Sequence, residues 1–190
     1  MKVINITCFI VPFLLVTLLS RTFFLVKAQD VAEPVLDVSG NAVRRGVNYY
    51  ILPAGRGNGG GLQVASIRNQ TNPLVVSQNA DESVIGVNVQ FSPVDPKENT
   101  VRLSIDMNVK FTSMVISDSS TVWRINTELI PERYLVTIGG VEGNPGRETL
   151  GNWFNIDKPF CGEIGILEEN GKRVLFVGRD PPLKVAFHKV

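Results

Sequence analysis

Residues able to carry covalent or metal chemistry are few in this 190-residue chain: one histidine, His188, and two cysteines, Cys8 and Cys161. A nucleophilic hydrolase needs a base beside its serine or cysteine. Cys161 with His188 is the available pair, and neither a nucleophile elbow nor a cysteine-protease signature surrounds it. Zinc sites take four ligands, mostly Cys and His, which this inventory cannot supply. Carboxylates occur together at Asp81-Glu82 and Glu168-Glu169, both read as solvated turn residues rather than as the facing acids of a glycosidase. No enzyme, metal or other cofactor is expected.

Binding chemistry offers more. Gly55, Gly57 and Gly60 satisfy the G-x-G-x-x-G spacing that lets a backbone approach a pyrophosphate. They follow one strand-like run and lead into another, so no helix N-terminus awaits a phosphate, and a mobile hairpin loop is the expectation. In Ser92 to Thr100, SPVDPKENT, two prolines restrict the backbone. A restrained exposed loop can enter a protease cleft with little ordering cost. The same composition also fits an ordinary polar connection between strands.

The elements around these residues belong to an exported chain. Lys2, an apolar run from Cys8 to Leu19 and the small-residue ending Val26-Lys27-Ala28 have the layout of a secretory signal. Pro12 and the shortness of the run argue against a membrane anchor. Cleavage after Ala28 is expected to leave Gln29–Val190 as one domain, secreted and free of the membrane. The whole chain carries 19 Lys and Arg against 18 Asp and Glu. Removal of Lys2, Arg21 and Lys27 leaves a slight acidic excess, which favours neither nucleic acid nor an anionic membrane as partner. Cys161 would then be alone, a buried small hydrophobe or a thiol able to link two chains. Asn69-Gln70-Thr71 is an N-glycosylation sequon with Asn69 as acceptor.

Short β-branched and aromatic runs recur between turn residues, at 47–52, 61–67, 74–78, 84–91, 101–105, 109–116, 121–125, 134–138, 153–156, 164–167, 174–177 and 183–187. This spacing predicts an all-β barrel or sandwich with marginal helix. Asn170-Gly171 is the strongest hairpin turn. Pro93, Pro96, Pro145, Pro181 and Pro182 fall between runs, where a missing N–H matters little. An aromatic strand recurs at Tyr49-Tyr50, Trp123 and Trp153, an irregular and faint threefold echo against the roughly 54 residues of one third of the exported part.

Leu36-Asp37, Gly40-Asn41, Gly46 and Tyr49-Tyr50-Ile51-Leu52 resemble the N-terminal signature of the plant Kunitz-type protease inhibitors, the soybean trypsin inhibitor and miraculin-like family. The likeness continues through Asn69-Gln70-Thr71, Phe91-Ser92-Pro93, Ser120-Thr121-Val122-Trp123, Gly143-Asn144-Pro145-Gly146, Trp153-Phe154, Cys161-Gly162-Glu163 and Pro182-Leu183-Lys184-Val185. It covers essentially all of the exported part.

The resemblance implies a β-trefoil, three four-stranded units forming a barrel closed by hairpins. It also implies an apoplastic or vacuolar plant defence or stress protein that blocks a serine or cysteine protease by substrate-like loop insertion. The implied loop is Ser92, Pro93, Val94, Asp95, Pro96, Lys97 and Glu98, supported by Asn41 and Arg45. Some relatives bind chlorophyll, so a binding or storage trefoil is the alternative.

Three departures stand out. Asn72 occupies a position where members usually have a cysteine, paired with one near Ser117 or Asp118; that bridge would close a loop of about 45 residues and contribute roughly 4 kcal/mol. Only about seven residues separate Trp153 from Cys161, where the family commonly has another strand, so the third lobe is expected to be shortened and Cys161 orphaned. Counting without gaps places Asp95 at the specificity position with Pro96 after the scissile bond, which suits a trypsin-like pocket badly. A longer loop makes Lys97 the pocket residue, with Glu98 following it. Arg45 stands where many members brace the loop with an asparagine. Protomers are expected to be monomers, or dimers if Cys161 pairs between chains.

Overall fold

A computed structural model describes residues 32–67, 70–116, 119–143, 145–156, 163–178 and 181–190, with 70–72 described in their backbone. Ten strands carry the architecture: β1 Tyr49–Pro53, β2 Leu62–Ile67, β3 Gln70–Gln78, β4 Val89–Pro93, β5 Met107–Phe111, β6 Trp123–Asn126, β7 Tyr134–Ile138, β8 Glu163–Glu169, β9 Lys172–Gly178 and β10 Val185–Lys189. A single 3₁₀ segment, Arg147–Asn152, is the one helical element among the described residues.

The strands sort into two antiparallel sets. β10, β1, β4 and β5 lie side by side as barrel staves, and Phe154 bridges to Met107 beyond β5. The other set is three hairpins, β2/β3, β6/β7 and β8/β9. They meet one another through Val75 opposite Thr137, Ser77 opposite Val174, and Leu135 opposite Phe176. Three hairpins around one axis above a barrel make a β-trefoil, as expected.

Alternation of side chains explains each part. In β1, Tyr49 and Ile51 point inward, while Tyr50 and Leu52 are half-exposed. Tilted and edge-on ring pairs fill the barrel: between ring centres, Phe91 lies 6.0 Å from Tyr49 and 5.5 Å from Phe187, and Trp123 lies 5.4 Å from Phe111 and 6.1 Å from Phe154. A second, smaller core of Ile67, Val75, Ile130, Leu135, Val174 and Phe176 sits among the hairpins. The Asn170-Gly171 turn joins β8 to β9 with both residues at positive φ, 50° and 71°, the geometry of a two-residue hairpin.

Several sequence expectations need correction. The 84–91 run forms a strand only from Val89, and 101–105 forms none: Val101 is buried and Ser104 turns the chain at φ 60°. Hydrophobicity there serves the core without a ladder. Pro93 ends β4 opposite Met107 instead of lying between strands. Glu168 and Glu169 close β8 opposite Arg173 and Lys172, in a strand and not a turn.

The glycine-rich stretch is not a hairpin loop, because β1 pairs with β10 and β4 while β2 pairs with β3. A Cβ on Gly60 would lie 2.2 Å from the Asp81 carbonyl oxygen, and one on Gly61 would lie 2.0 Å from that of Ile85. These glycines permit two backbones to touch.

Candidate functional site

The loop between β4 and β5 is a hydrogen-bonded turn on a braced base. Asp95 Oδ1 accepts from the Lys97 N–H at 2.9 Å, and the Asp95 carbonyl accepts from the Glu98 N–H at 3.1 Å. Aspartate first and proline second is the composition that such a turn favours. Val94, Asp95, Pro96 and Lys97 are exposed, and Glu98 is half-buried.

Each flank is tied down. On the entry side, the Val94 N–H donates to the Asp106 carbonyl at 2.8 Å, and buried Ser92 donates through Oγ to Glu142. On the exit side, the Glu98 carboxylate accepts from the Thr100 N–H at 2.9 Å and from Arg102 Nε at 3.1 Å. Those bonds, the Thr100 one first, hold the Glu98 carboxyl below its ordinary range. For Glu142, burial pushes the carboxyl up, but hydrogen bonds from Lys110 and Ser92 and the charges of Lys110 and Arg45 outweigh it and leave the pKa lowered.

Arg45 does reach the loop. Its Nη1 donates to the Asp95 carbonyl at 3.1 Å, and its N–H donates to the Asn99 carbonyl at 3.0 Å. The core sets this placement, because the hydroxyl of buried Tyr49 accepts from the Arg44 N–H at 3.0 Å. Asn41 does not join it: its N–H donates to Asp37 Oδ1 at 2.9 Å and its carbonyl accepts from the Asp37 N–H. The described hydrogen bonds thus keep Asn41 in the 37–41 turn and bring Arg45 alone to the loop.

The geometry separates the two specificity candidates. A cleaved peptide bond must offer its carbonyl oxygen to an oxyanion hole. The Asp95 carbonyl is already held by two donors, Arg45 and Glu98. Among the described residues no hydrogen bond engages the Lys97 carbonyl, and its side chain is exposed at the turn's tip.

Glu142 and Lys110, joined at 2.8 Å, and Arg102 are participants that the sequence did not reveal. Glu142 is fifty positions from Ser92, and no local pattern distinguishes it from other surface acids. Asn69 and Cys161 lie outside the described residues, so the glycosylation site and the Cys161–His188 pair have no structural account; His188 itself sits in β10 opposite Tyr50.

A family described as "Trypsin and protease inhibitor", the legume Kunitz type, matches residues 35–189. This chain belongs to that family. Kunitz trypsin inhibitor 5 of Arabidopsis thaliana is 36% identical to it over 183 residues, covering 86% of this chain and 89% of the relative. Among solved structures, the bifunctional α-amylase/subtilisin inhibitor of Oryza sativa superposes with a TM-score of 0.70 at 30% identity, over 84% of this chain and 100% of the other. A water-soluble chlorophyll protein of Brassica oleracea, solved with chlorophyll b, gives 0.69 at 25% identity, over 83% and 99%. The Kunitz chain therefore shares its trefoil with proteins named for protease inhibition and with one named for pigment binding.

Proposed function

We propose that this Kunitz chain is an exported protease inhibitor whose 92–98 loop enters the cleft of a serine or cysteine protease, with Lys97 as the pocket residue. One observation carries the reading: Lys97 stands exposed on a turn whose two flanks are fixed to the barrel by Arg45, Asp106, Glu142 and Arg102. Stiffness is what such a mechanism requires, because a loop already ordered loses little entropy on binding. Lys97 suits a pocket with an acidic base, and the relatives named as trypsin inhibitors support that class of target. The active domain on this reading is Gln29–Val190, released from a signal peptide at 1–28, glycosylated at Asn69 and acting in plant defence outside the cell or in the vacuole.

The test is a titration of the exported domain against trypsin, chymotrypsin and a papain-like enzyme, repeated with Lys97→Ala. Submicromolar trypsin inhibition that Lys97→Ala weakens at least about 30-fold supports the assignment, that being the effect of a residue worth about 2 kcal/mol at an interface. An unchanged constant sinks Lys97 while leaving the family intact. Lack of inhibition of all three enzymes sinks the function.

The likeness to the chlorophyll protein supports a second reading, a pigment-binding trefoil. A stable absorption band that co-elutes with the protein after mixing with chlorophyll, in a preparation that inhibits none of the enzymes, would replace the first reading with this one.

A further inference from the structure

The exit flank of the 92–98 loop runs as the middle one of three short segments. On one side lies 43–45, where the Arg45 N–H donates to the Asn99 carbonyl at 3.0 Å and the Val43 carbonyl accepts from the Val101 N–H at 2.9 Å. On the other lies 33–35, where the Glu33 carbonyl accepts from the Leu103 N–H at 2.8 Å and the Val35 N–H donates to the Val101 carbonyl at 2.9 Å. Pro34 and Arg102 face each other as antiparallel partners. Val35 and Val101, both buried, fix this contact to the core.

Arg102 joins this N-terminal segment to the loop. Its Nη1 donates to the Ala32 carbonyl at 2.9 Å, and its Nε donates at 3.1 Å to the Glu98 carboxylate, whose other oxygen accepts from the Thr100 N–H at 2.9 Å. A guanidinium is a planar, rigid fork, so fixing Nη1 on Ala32 also orients Nε on Glu98. The bond to Ala32 uses a main-chain oxygen. It therefore depends on the presence of residue 32 and not on its type. Ala32 is half-buried, and Glu33 and Pro34 are exposed.

We propose that Ala32-Glu33 is a strap that sets the inhibitory strength of the 92–98 loop, and that trimming through Ala32 by an aminopeptidase turns the inhibitor down. The inference rests on the reading of that loop as the protease-binding element. With cleavage after Ala28, the strap lies close to the new N-terminus, within reach of such an enzyme. Hydrolysis of the Ala32–Glu33 bond consumes one water, leaves a free amine on Glu33 and carries the Ala32 carbonyl away as a carboxylate. Arg102 then keeps Glu98 alone, its fork loses its fixed orientation, and Glu98 holds the Thr100 N–H less firmly. Glu33, Pro34 and Val35 remain, so the contact with the core is kept. A loop that the protease itself must order binds more weakly.

Two shortened forms, one beginning at Ala32 and one at Glu33, are compared with the exported domain Gln29–Val190. The form beginning at Ala32 should inhibit trypsin within about twofold of the domain, and the form beginning at Glu33 about fivefold more weakly, the effect of one lost hydrogen bond. The weaker form should also be cut faster between Lys97 and Glu98, seen by mass spectrometry. With Arg102→Ala in both, the two forms should inhibit equally, because the side chain that reads the strap is gone. Hydrogen exchange reads the strap without any protease: the Thr100 amide should exchange about fivefold faster in the form beginning at Glu33, and the Val94 amide on the entry flank should not change. If Arg102→Ala does not fold by circular dichroism, the Thr100 comparison decides. A domain that inhibits no protease overturns the reading of the loop. In a domain that does inhibit, equal inhibition by the two forms, equal Thr100 exchange, or a difference that persists with Arg102→Ala would each overturn the strap.

Discussion

The two sides of the barrel have been treated differently. On the β4–β5 side, polar side chains from three separate segments converge on one turn: Arg45, Glu142, and Ser92, Asp95, Glu98 and Arg102 of the 92–102 stretch itself. On the side between Phe154 and β10, the described residues supply no completing strand, and aromatic and aliphatic side chains line a cavity. Both sides share one aromatic core, with Phe91 contacting Tyr49 and Phe187 in the staves and also lining the cavity. The two regions meet at Asp106-Met107: the Asp106 carbonyl anchors Val94, and Met107 lines the cavity. The loop's anchors reach from Arg45 to Glu142, whereas several of the cavity's lining residues come from 153 onwards.

A substitution in the shared core should erase the distinction. Phe91→Ala removes a ring that is 1% exposed, and the expected loss is about 3–5 kcal/mol of unfolding free energy, read as a drop in the denaturant midpoint with both loop and cavity affected. Lys97→Ala should act on the loop alone, weakening trypsin inhibition as described while leaving stability unchanged.

Arg45→Ala should follow with a smaller effect. Loss of one solvent-exposed hydrogen bond to the Asp95 carbonyl is worth about 1 kcal/mol, so inhibition should weaken about fivefold. The opposing case is Asn41→Ala, for which no change in inhibition is expected, since its described bonds use backbone atoms.

Acid should produce the mildest and most local change. Glu98 and Glu142 have carboxyls lowered from the ordinary glutamate value of 4.5. A depressed carboxylate stabilises the folded state fully above its unfolded pKa, and the benefit disappears as the pH falls through the lower folded value. Loop anchoring should therefore be constant at neutral pH and fade below about 4.5, visible as a titration of the Thr100 amide resonance with its inflection below that value. Glu142→Gln should flatten the acid-side change at Ser92 without moving the Thr100 inflection. A midpoint at or above the ordinary value would show that the anchors do not hold in solution.

Much of this molecule was legible along the chain. Asn170-Gly171 announced its hairpin because its turn chemistry is local, and alternating β-branched residues announced most strands because a half-buried strand has a period of two. The SPVDPKENT composition marked the loop, and Asp95 before Pro96 is enough to expect a turn. What was misread depended on distant backbone. The 101–105 run looks like a strand but contributes Val101 to the core from an irregular segment, and the glycines of 57–61 look like a flexible loop but allow contact with 79–86.

Sequence by itself determined the family, the trefoil, the poverty of catalytic groups and the loop that projects from β4, because these rest on residue type, local pattern and order. Tertiary structure decided which residues hold that loop: Arg45 rather than Asn41, and Glu142 from fifty positions away. It also decided that the Asp95 carbonyl is engaged while, among the described residues, that of Lys97 is not. Hydrogen bonds between remote segments and the space left between staves are properties of the closed barrel, and no local pattern in the chain encodes them.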